Sequence, residues 1–308
     1  MKGFFDQLNR ITKPGRPDII EKDFHLHRLL HEISRNDYFQ EKLLFKGGTC
    51  LIKAYTGYHR FSEDIDFTWS DTTLWEGKTP SQTRKLCSGE IDVFIIFLRE
   101  ITEKLGLVFS GEKTDPSQVE IGSGGRMARF FIAYDSESLG IPTRIKIDIN
   151  FVDKTLYPHE TRLLKSFITG LENKELPFLY KEAWNEYNRP IEIKCYDPRE
   201  IYTDKVRAIM TRPIYKLRDT IDIYTLENQY GYSIPKFENQ IKRKTNFILN
   251  LYTRYRKNIA IISVPDRDYF KEKETKLLIN QTPKDLHNSI QRIHNQIRQL
   301  QTELTKSR

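Results

Sequence analysis

The chain has 308 residues, enough for about two average domains, and its 38% hydrophobic and 30% charged content is that of a soluble globular protein. No stretch of roughly 18 or more apolar residues exists, which excludes a transmembrane helix, and the start Met1-Lys2-Gly3-Phe4-Phe5-Asp6 lacks the apolar core of an export signal. The three cysteines, Cys50, Cys87 and Cys195, are too few and too scattered for a disulfide framework or a Cys-rich zinc site, so a reducing cytoplasm is the expected location.

Residues 241–308 carry a net +9, which leaves −1 for residues 1–240 and +8 overall. Such asymmetry points to a polyanionic partner, most simply nucleic acid; a solvated basic helical surface is the alternative reading.

Taken in chain order, an apolar stripe of Ile19, Ile20, Phe24, Leu26, Leu29, Leu30 and Ile33 predicts a helix over Asp18–Ser34. Lys42–Lys46 reads as a short buried strand that stops at Gly47-Gly48. A helix is expected over Thr49–Tyr55, ended by Gly57, then a strand over Phe61–Phe67 and a loop over Thr68–Pro80. Ile91, Phe94, Ile95 and Leu98 mark an amphipathic helix over Ser88–Leu105. Ser110–Gly125 is polar and Gly-rich and is read as a loop or hairpin tip. Strands are expected at Met127–Tyr134, Arg144–Val152 and Ile191–Cys195. In the second, Ile145, Ile147, Ile149 and Phe151 alternate with Arg144, Lys146, Asp148 and Asn150, which places the polar four on one face.

Asp197-Pro198-Arg199-Glu200 is a helix start, with a capping Asp, Pro at the first helical position and Glu at the third. Helices are expected near 198–211, 217–229, 236–259 and 284–305, giving a mixed front and a helical back divided near residue 197. In the last helix, Leu286, Ile290, Ile293, Ile297, Leu300 and Leu304 form a seam at spacings of four and three. The seam is read as intramolecular, which favours a monomer over a dimer.

Two features suggest chemistry. Gly47-Gly48-Thr49 between strand and helix lets the backbone turn tightly, so that N–H groups face phosphate oxygens; an ordinary tight turn is the plain alternative. Asp64 and Asp66, two apart on a strand, put both carboxylates on one face while Ile65 and Phe67 anchor the other. Neighbouring carboxylates repel unless a cation lies between them, and hard oxygen donors suit Mg²⁺ with substrate phosphates. A solvated acidic strand end would look the same. Asp148, mid-strand on a polar face, is the candidate third ligand; three carboxylates and two Mg²⁺ ions suit in-line nucleotidyl transfer.

Gly-Gly-Thr, a helix, then Arg60-Phe61-Ser62-Glu63-Asp64-Ile65-Asp66-Phe67 resembles the AbiEii/AbiGii-type nucleotidyltransferases of the polymerase-β-like superfamily, the toxin components of bacterial abortive-infection and type IV toxin–antitoxin systems. Ile20-Glu21-Lys22-Asp23-Phe24 resembles the family's leading helix. Asp204-Lys205-Val206-Arg207-Ala208-Ile209 with Arg212 resembles its lysine motif, and Arg218-Asp219-Thr220-Ile221-Asp222 its Arg-Asp-x-x-Asp motif. The resemblance covers roughly residues 18–230.

It implies an α+β fold, with an N-terminal polymerase-β-like nucleotidyltransferase core (residues 1–196; mixed sheet, flanking helices) and a C-terminal helical domain (197–308) that is basic after 240. It implies that Gly47, Gly48, Thr49 and Ser62 bind the nucleotide and that Asp64, Asp66 and Asp148 hold two Mg²⁺ ions, Asp148 also serving as general base. Lys205 would neutralise β/γ-phosphate charge, and Asp219 would orient Lys205 or the nucleotide. The implied activity is transfer of NMP from an NTP to an acceptor, RNA such as a tRNA 3′ end leading and protein left open, with a DNA-binding antitoxin encoded nearby.

Lys242, Arg243, Lys244, Arg254, Arg256 and Lys257 interleave with Tyr252 and Tyr255, a composition suited to RNA and equally to a plain bundle helix. His27 and His31, four apart, read as part of an amphipathic helix, and Arg126 and Arg129 as phosphate-contacting or surface residues. Two other functions stay open on the residues: a non-catalytic nucleotide- or RNA-binding module on a degenerate transferase fold, and a two-metal nuclease.

Overall fold

The structure is a computed structural model that describes residues 1–71, 73, 75–260, 277–279, 283 and 285–306. The chain divides into two units, Met1–Asp153 with His159–Tyr196, and Lys154–Pro158 with Asp197–Arg308. The fold is α+β: a mixed sheet with flanking helices, then a helical unit.

The first unit opens with α1 (Lys2–Thr12), whose Phe4, Phe5 and Leu8 are buried, and α2 (Pro17–Ser34), where Pro17 takes the first-turn position that needs no N–H donor. Phe5 and Phe24 meet edge to face at 5.5 Å. Next come α3 (Asp37–Lys42), capped by the Asn36 side chain, and β1 (Leu43–Lys46). The helix after β1 begins two residues earlier than the sequence predicts. It is α4 (Gly47–Cys50), continued by a π-helical segment, Leu51–Thr56, and ended at Gly57.

Strand β2 (Asp64–Trp69) starts later and ends later than expected, so Thr68 and Trp69 belong to the sheet rather than a loop. Residues 72 and 74 of that expected loop lie outside the described residues. Helix α5 (Pro80–Leu105) begins two turns early because Thr79 and Gln82 form a reciprocal capping box with Pro80 at the first position. Then follow β3 (Val119–Gly122), β4 (Met127–Ser136), β5 (Ile141–Asn150), β6 (Glu160–Leu164), α6 (Glu175–Leu179), α7 (Lys181–Tyr187) and β7 (Ile191–Cys195). The segment read as a loop or hairpin tip over 110–125 contains a strand, β3, hairpinned onto β4.

Among the described residues seven strands form one sheet in the order β3-β4-β5-β2-β1-β7-β6. β2 runs parallel to β5 and antiparallel to β1. One face is apolar, with Phe45, Ile65, Phe67, Phe130, Ile145, Ile147 and Ile149 fully buried. Helix α5 contributes to its cover through Phe94, which packs on Phe130 at 4.6 Å. By strand alternation, the opposite face carries Asp64, Asp66, Lys146, Asp148 and Arg129.

The second unit starts with α8 (Pro198–Thr211), capped by Asp197, whose carboxylate accepts from the Arg199 N–H, and α9 (Leu217–Tyr230), ended by Gly231. The single helix expected over 236–259 is three pieces: a 3₁₀ turn at Pro235–Phe237, α10 (Glu238–Leu251) and α11 (Thr253–Ala260), with Tyr252 extended between the last two. Helix α12 (Leu286–Lys306) follows; residue 284, its predicted start, lies outside the described residues. All six seam residues of α12 are buried, and the helix packs on α8, α9 and α11. Among the described residues no helix is long and apolar enough to cross a membrane. Cys50, Cys87 and Cys195 are all buried free thiols.

Candidate active site

The acidic face of the sheet is organised by register. Asp66 of β2 is the direct partner of Asp148 on parallel β5 and of Lys46 on antiparallel β1, and Asp64 is the partner of Lys146. Side chains of directly paired residues leave the same face, so residues 46, 64, 66, 146 and 148 share it although they come from three strands.

The diglycine turn lies against this face. Gly47 has φ +79°, and a Cβ built there would stand 2.8 Å from Cγ of Asp66, so the Asp66 carboxylate occupies the space a side chain would need. Both facts demand glycine. Thr49 is turned inward: its hydroxyl donates to the Asp64 carbonyl and the residue is 1% exposed, so its side chain ties the helix to β2. Ser62 Oγ stands 3.1 Å from the Cβ position of Gly48. Lys46 Nζ is 2.6 Å from the buried carboxylate of Asp153, which also accepts from the Tyr196 hydroxyl at 3.3 Å. We expect Gly47→Ala to lower stability by about 1–3 kcal/mol through its positive φ and the displaced carboxylate. Urea unfolding checks this, and an unchanged midpoint would contradict the packing.

Two cations sit on the acidic residues. Arg129 Nε donates to Asp148 Oδ1 at 2.7 Å and Nη2 to Oδ2 at 2.9 Å, a bidentate pair, while its Nη1 reaches Glu120 at 3.0 Å. These hydrogen bonds, the Asp148 bonds first, raise the affinity of the Arg129 guanidinium for its proton. Lys146 Nζ lies 2.8 Å from Asp64 Oδ1, an ion pair outside hydrogen-bond geometry; that oxygen is buried and accepts no hydrogen bond. Among the described residues no three His, Cys, Asp or Glu side chains are gathered as a metal-holding cluster. Asp64, Asp66 and Asp148 are thus neighbours by strand register, with the Asp148 carboxylate engaged by Arg129.

Their donor chemistry nevertheless fits a hard divalent ion. All three offer carboxylate oxygens, Asp66 and Asp148 share a register position, and the buried Asp64 Oδ1 is met by the Lys146 ammonium at 2.8 Å, a cation that an ion would displace or join. Lys46, Lys146 and the Arg129–Asp148 pair are the parts that pattern reading missed. Lys146 was visible two residues from Asp148 on the polar face, whereas the pairing of Arg129 depends on the β4–β5 register, which spacing does not reveal.

In the second unit, Lys205 Nζ is 2.8 Å from both Asp219 Oδ1 and Asp222 Oδ2, and Arg212 also pairs with Asp219. Asp222 therefore serves Lys205. Of the basic residues proposed for RNA, Lys244 is corrected: it is 1% exposed and pairs with Glu200 and with Asp204, so it has no surface to offer. Lys242 pairs with Glu238 and Glu303. Arg243, Arg254, Arg256 and Lys257 are exposed, and Arg254 lies over the rings of Tyr252 and Tyr255 at 5.5 and 5.0 Å. His27 bonds to the Arg189 carbonyl and His31 to Glu32 inside the packed helix face, and burial pushes the His27 imidazole down to about 3.

Two solved structures from Helicobacter pylori are similar to the chain: JHP933, at 16% identity over 92% of this chain and 91% of that one with a TM-score of 0.44, and a putative nucleotidyltransferase, at 15% over 94% and 96% with a TM-score of 0.43. No curated protein sequence matches it. The sequence profile described as "Nucleotidyl transferase AbiEii toxin, Type IV TA system" matches residues 28–297, a span that takes in the diglycine turn, all three aspartates and the lysine motif. The chain belongs to the AbiEii nucleotidyl transferase toxin family of type IV toxin–antitoxin systems.

Proposed function

We propose that the chain transfers a nucleoside monophosphate from an NTP to an acceptor hydroxyl, with RNA, and a tRNA 3′ end first, as the acceptor. The observation that carries this reading is the register pairing of Asp66 with Asp148 beside a diglycine turn on which the Asp66 carboxylate packs. In this reading residues 1–196 are the transferase domain and 197–308 the helical domain.

The acceptor oxygen forms a bond to the α-phosphorus as the α–β bridging P–O bond breaks, and pyrophosphate leaves. The acceptor proton passes to Asp148. The backbone of Gly47 and Gly48 and the Ser62 hydroxyl hold the phosphates, with Lys205 and Asp219 carrying the roles their motifs imply. Asp64, Asp66 and Asp148 would hold two Mg²⁺ ions, whose chemistry is neutralisation of charge on the phosphates. The exposed Arg243, Arg254, Arg256 and Lys257, with Tyr252 and Tyr255, suit backbone contact and base stacking. The reading extends to a cytoplasmic, monomeric toxin opposed by a DNA-binding antitoxin encoded nearby.

The test is incubation of the protein with Mg²⁺, each of the four α-labelled NTPs, and total RNA. Label is expected in RNA. Label in neither RNA nor protein with any NTP would sink the reading, and RNA loss without NTP would identify a nuclease. Arg129 supplies a second check. Because its charge competes for Asp148, Arg129→Gln is expected to tighten divalent-ion binding by about 10-fold. A Mn²⁺ titration followed by electron paramagnetic resonance reads this, and weaker binding would show that Arg129 does not compete with the ion.

A further inference from the structure

A buried guanidinium stands beside the diglycine turn. Arg60 is 1% exposed, and its Nη1 donates to the Phe61 carbonyl at 2.7 Å. Its Nη2 lies 2.6 Å from the point a Cβ on Gly48 would occupy, with Ser62 Oγ 3.1 Å from the same point. The turn is therefore gripped on both residues, Gly47 by Asp66 and Gly48 by Arg60 and Ser62. Taking an arginine out of water is costly, and its planar fork of donors gives a fixed geometry where it is held. The consequence here is a buried positive charge packed against the Gly48 side of the turn, at the place where, in the transferase reading, a polyphosphate would bring several negative ones.

We propose that Arg60 is a positioning residue for triphosphate binding: it touches no substrate, but its planar guanidinium fixes Gly48 from the interior, which a lysine ammonium does not reproduce. The proposal deepens the transferase reading and rests on it. Because the effect is exerted on the turn that, in the transferase reading, meets the polyphosphate, its loss falls on NTP more than on NMP, which a general loss of folding would not produce.

The experiment compares Mg²⁺-NTP and NMP binding by calorimetry for wild type, Arg60→Lys and Gly48→Ala, with thermal melts alongside. Arg60→Lys is expected to stay folded and, by losing the rigid fork beside Gly48, to weaken NTP binding by about 10-fold while changing NMP binding less than about twofold. Gly48→Ala leaves residue 60 intact but drives a methyl against its guanidinium, and is expected to weaken NTP binding selectively as well. Combining the two should restore at least about threefold of what Gly48→Ala loses, because lysine lacks the clashing nitrogen. Unchanged NTP affinity in Arg60→Lys, or equal losses for NTP and NMP, overturns the proposal. If Arg60→Lys does not fold, unchanged NTP affinity in Gly48→Ala overturns it instead. Failure of wild type to bind any of the four NTPs strikes the transferase reading itself, a separate outcome.

Discussion

Asp64→Asn is expected to slow nucleotidyl transfer by about a thousandfold while leaving the fold intact. Asparagine is nearly isosteric, so what is lost is charge. The neighbour that loses its counterion is Lys146, whose side chain is 38% exposed and turns to solvent at little cost. The fall should therefore appear in the rate under saturating NTP with an unfolding free energy within about 1 kcal/mol of wild type. Asp66→Asn should be equally inactive but less innocent structurally, because that carboxylate packs on Gly47. Label incorporated from α-labelled NTP into RNA measures both. Wild-type rates in Asp64→Asn would remove the acidic face from the chemistry.

The parts of this site that follow a period were legible. Alternation in Arg144–Val152 put Lys146 and Asp148 on one face, and the structure sets them beside Asp64 and Asp66. The α12 seam was equally legible, since a spacing of four and three describes a buried stripe directly. Lys244 was legible too and was overlooked: Ile241, Lys244, Thr245 and Ile248 are the buried stripe of α10, so the period placed that lysine inside while its composition suggested a surface. Features that depend on a distant partner were not legible. Nothing local says that Arg129 closes on Asp148, that Thr49 turns to the Asp64 carbonyl, or that Arg60 fills the space beside Gly48. Helix α5 was read two turns short because its capping box precedes the apolar stripe. The break at Tyr252 carries no Gly or Pro to announce it.

Lys205→Met is expected to destabilise the helical unit by about 3 kcal/mol, because it takes the shared ammonium from two carboxylates that are 1% and 0% exposed, Asp219 and Asp222, and leaves Arg212 to hold Asp219. The lysine motif therefore has a structural duty that stands whether or not its amine meets phosphate, and lost activity in this variant would not by itself establish a catalytic lysine. The pH dependence makes the duty measurable. Burial raises the Asp219 carboxyl, but Lys205 and then Arg212 outweigh it and bring it down to about 2 from an ordinary 3.8. A carboxyl depressed in the folded state contributes stability that is fully present above 3.8 and is lost as pH falls towards 2, here about 2 kcal/mol. Without Lys205 the Asp219 carboxyl rises, so its contribution shrinks and the acid limb of unfolding moves to higher pH. Helical ellipticity followed against pH and temperature should show a melting point lower by roughly 10 °C or more and acid unfolding that begins above that of wild type. Asp222→Asn in the same chain removes one of the two buried charges and should recover part of the loss. A Lys205→Met chain that melts and acid-unfolds like wild type would mean that the buried cluster does not depend on its lysine, and would return that residue to the phosphate role its motif implies.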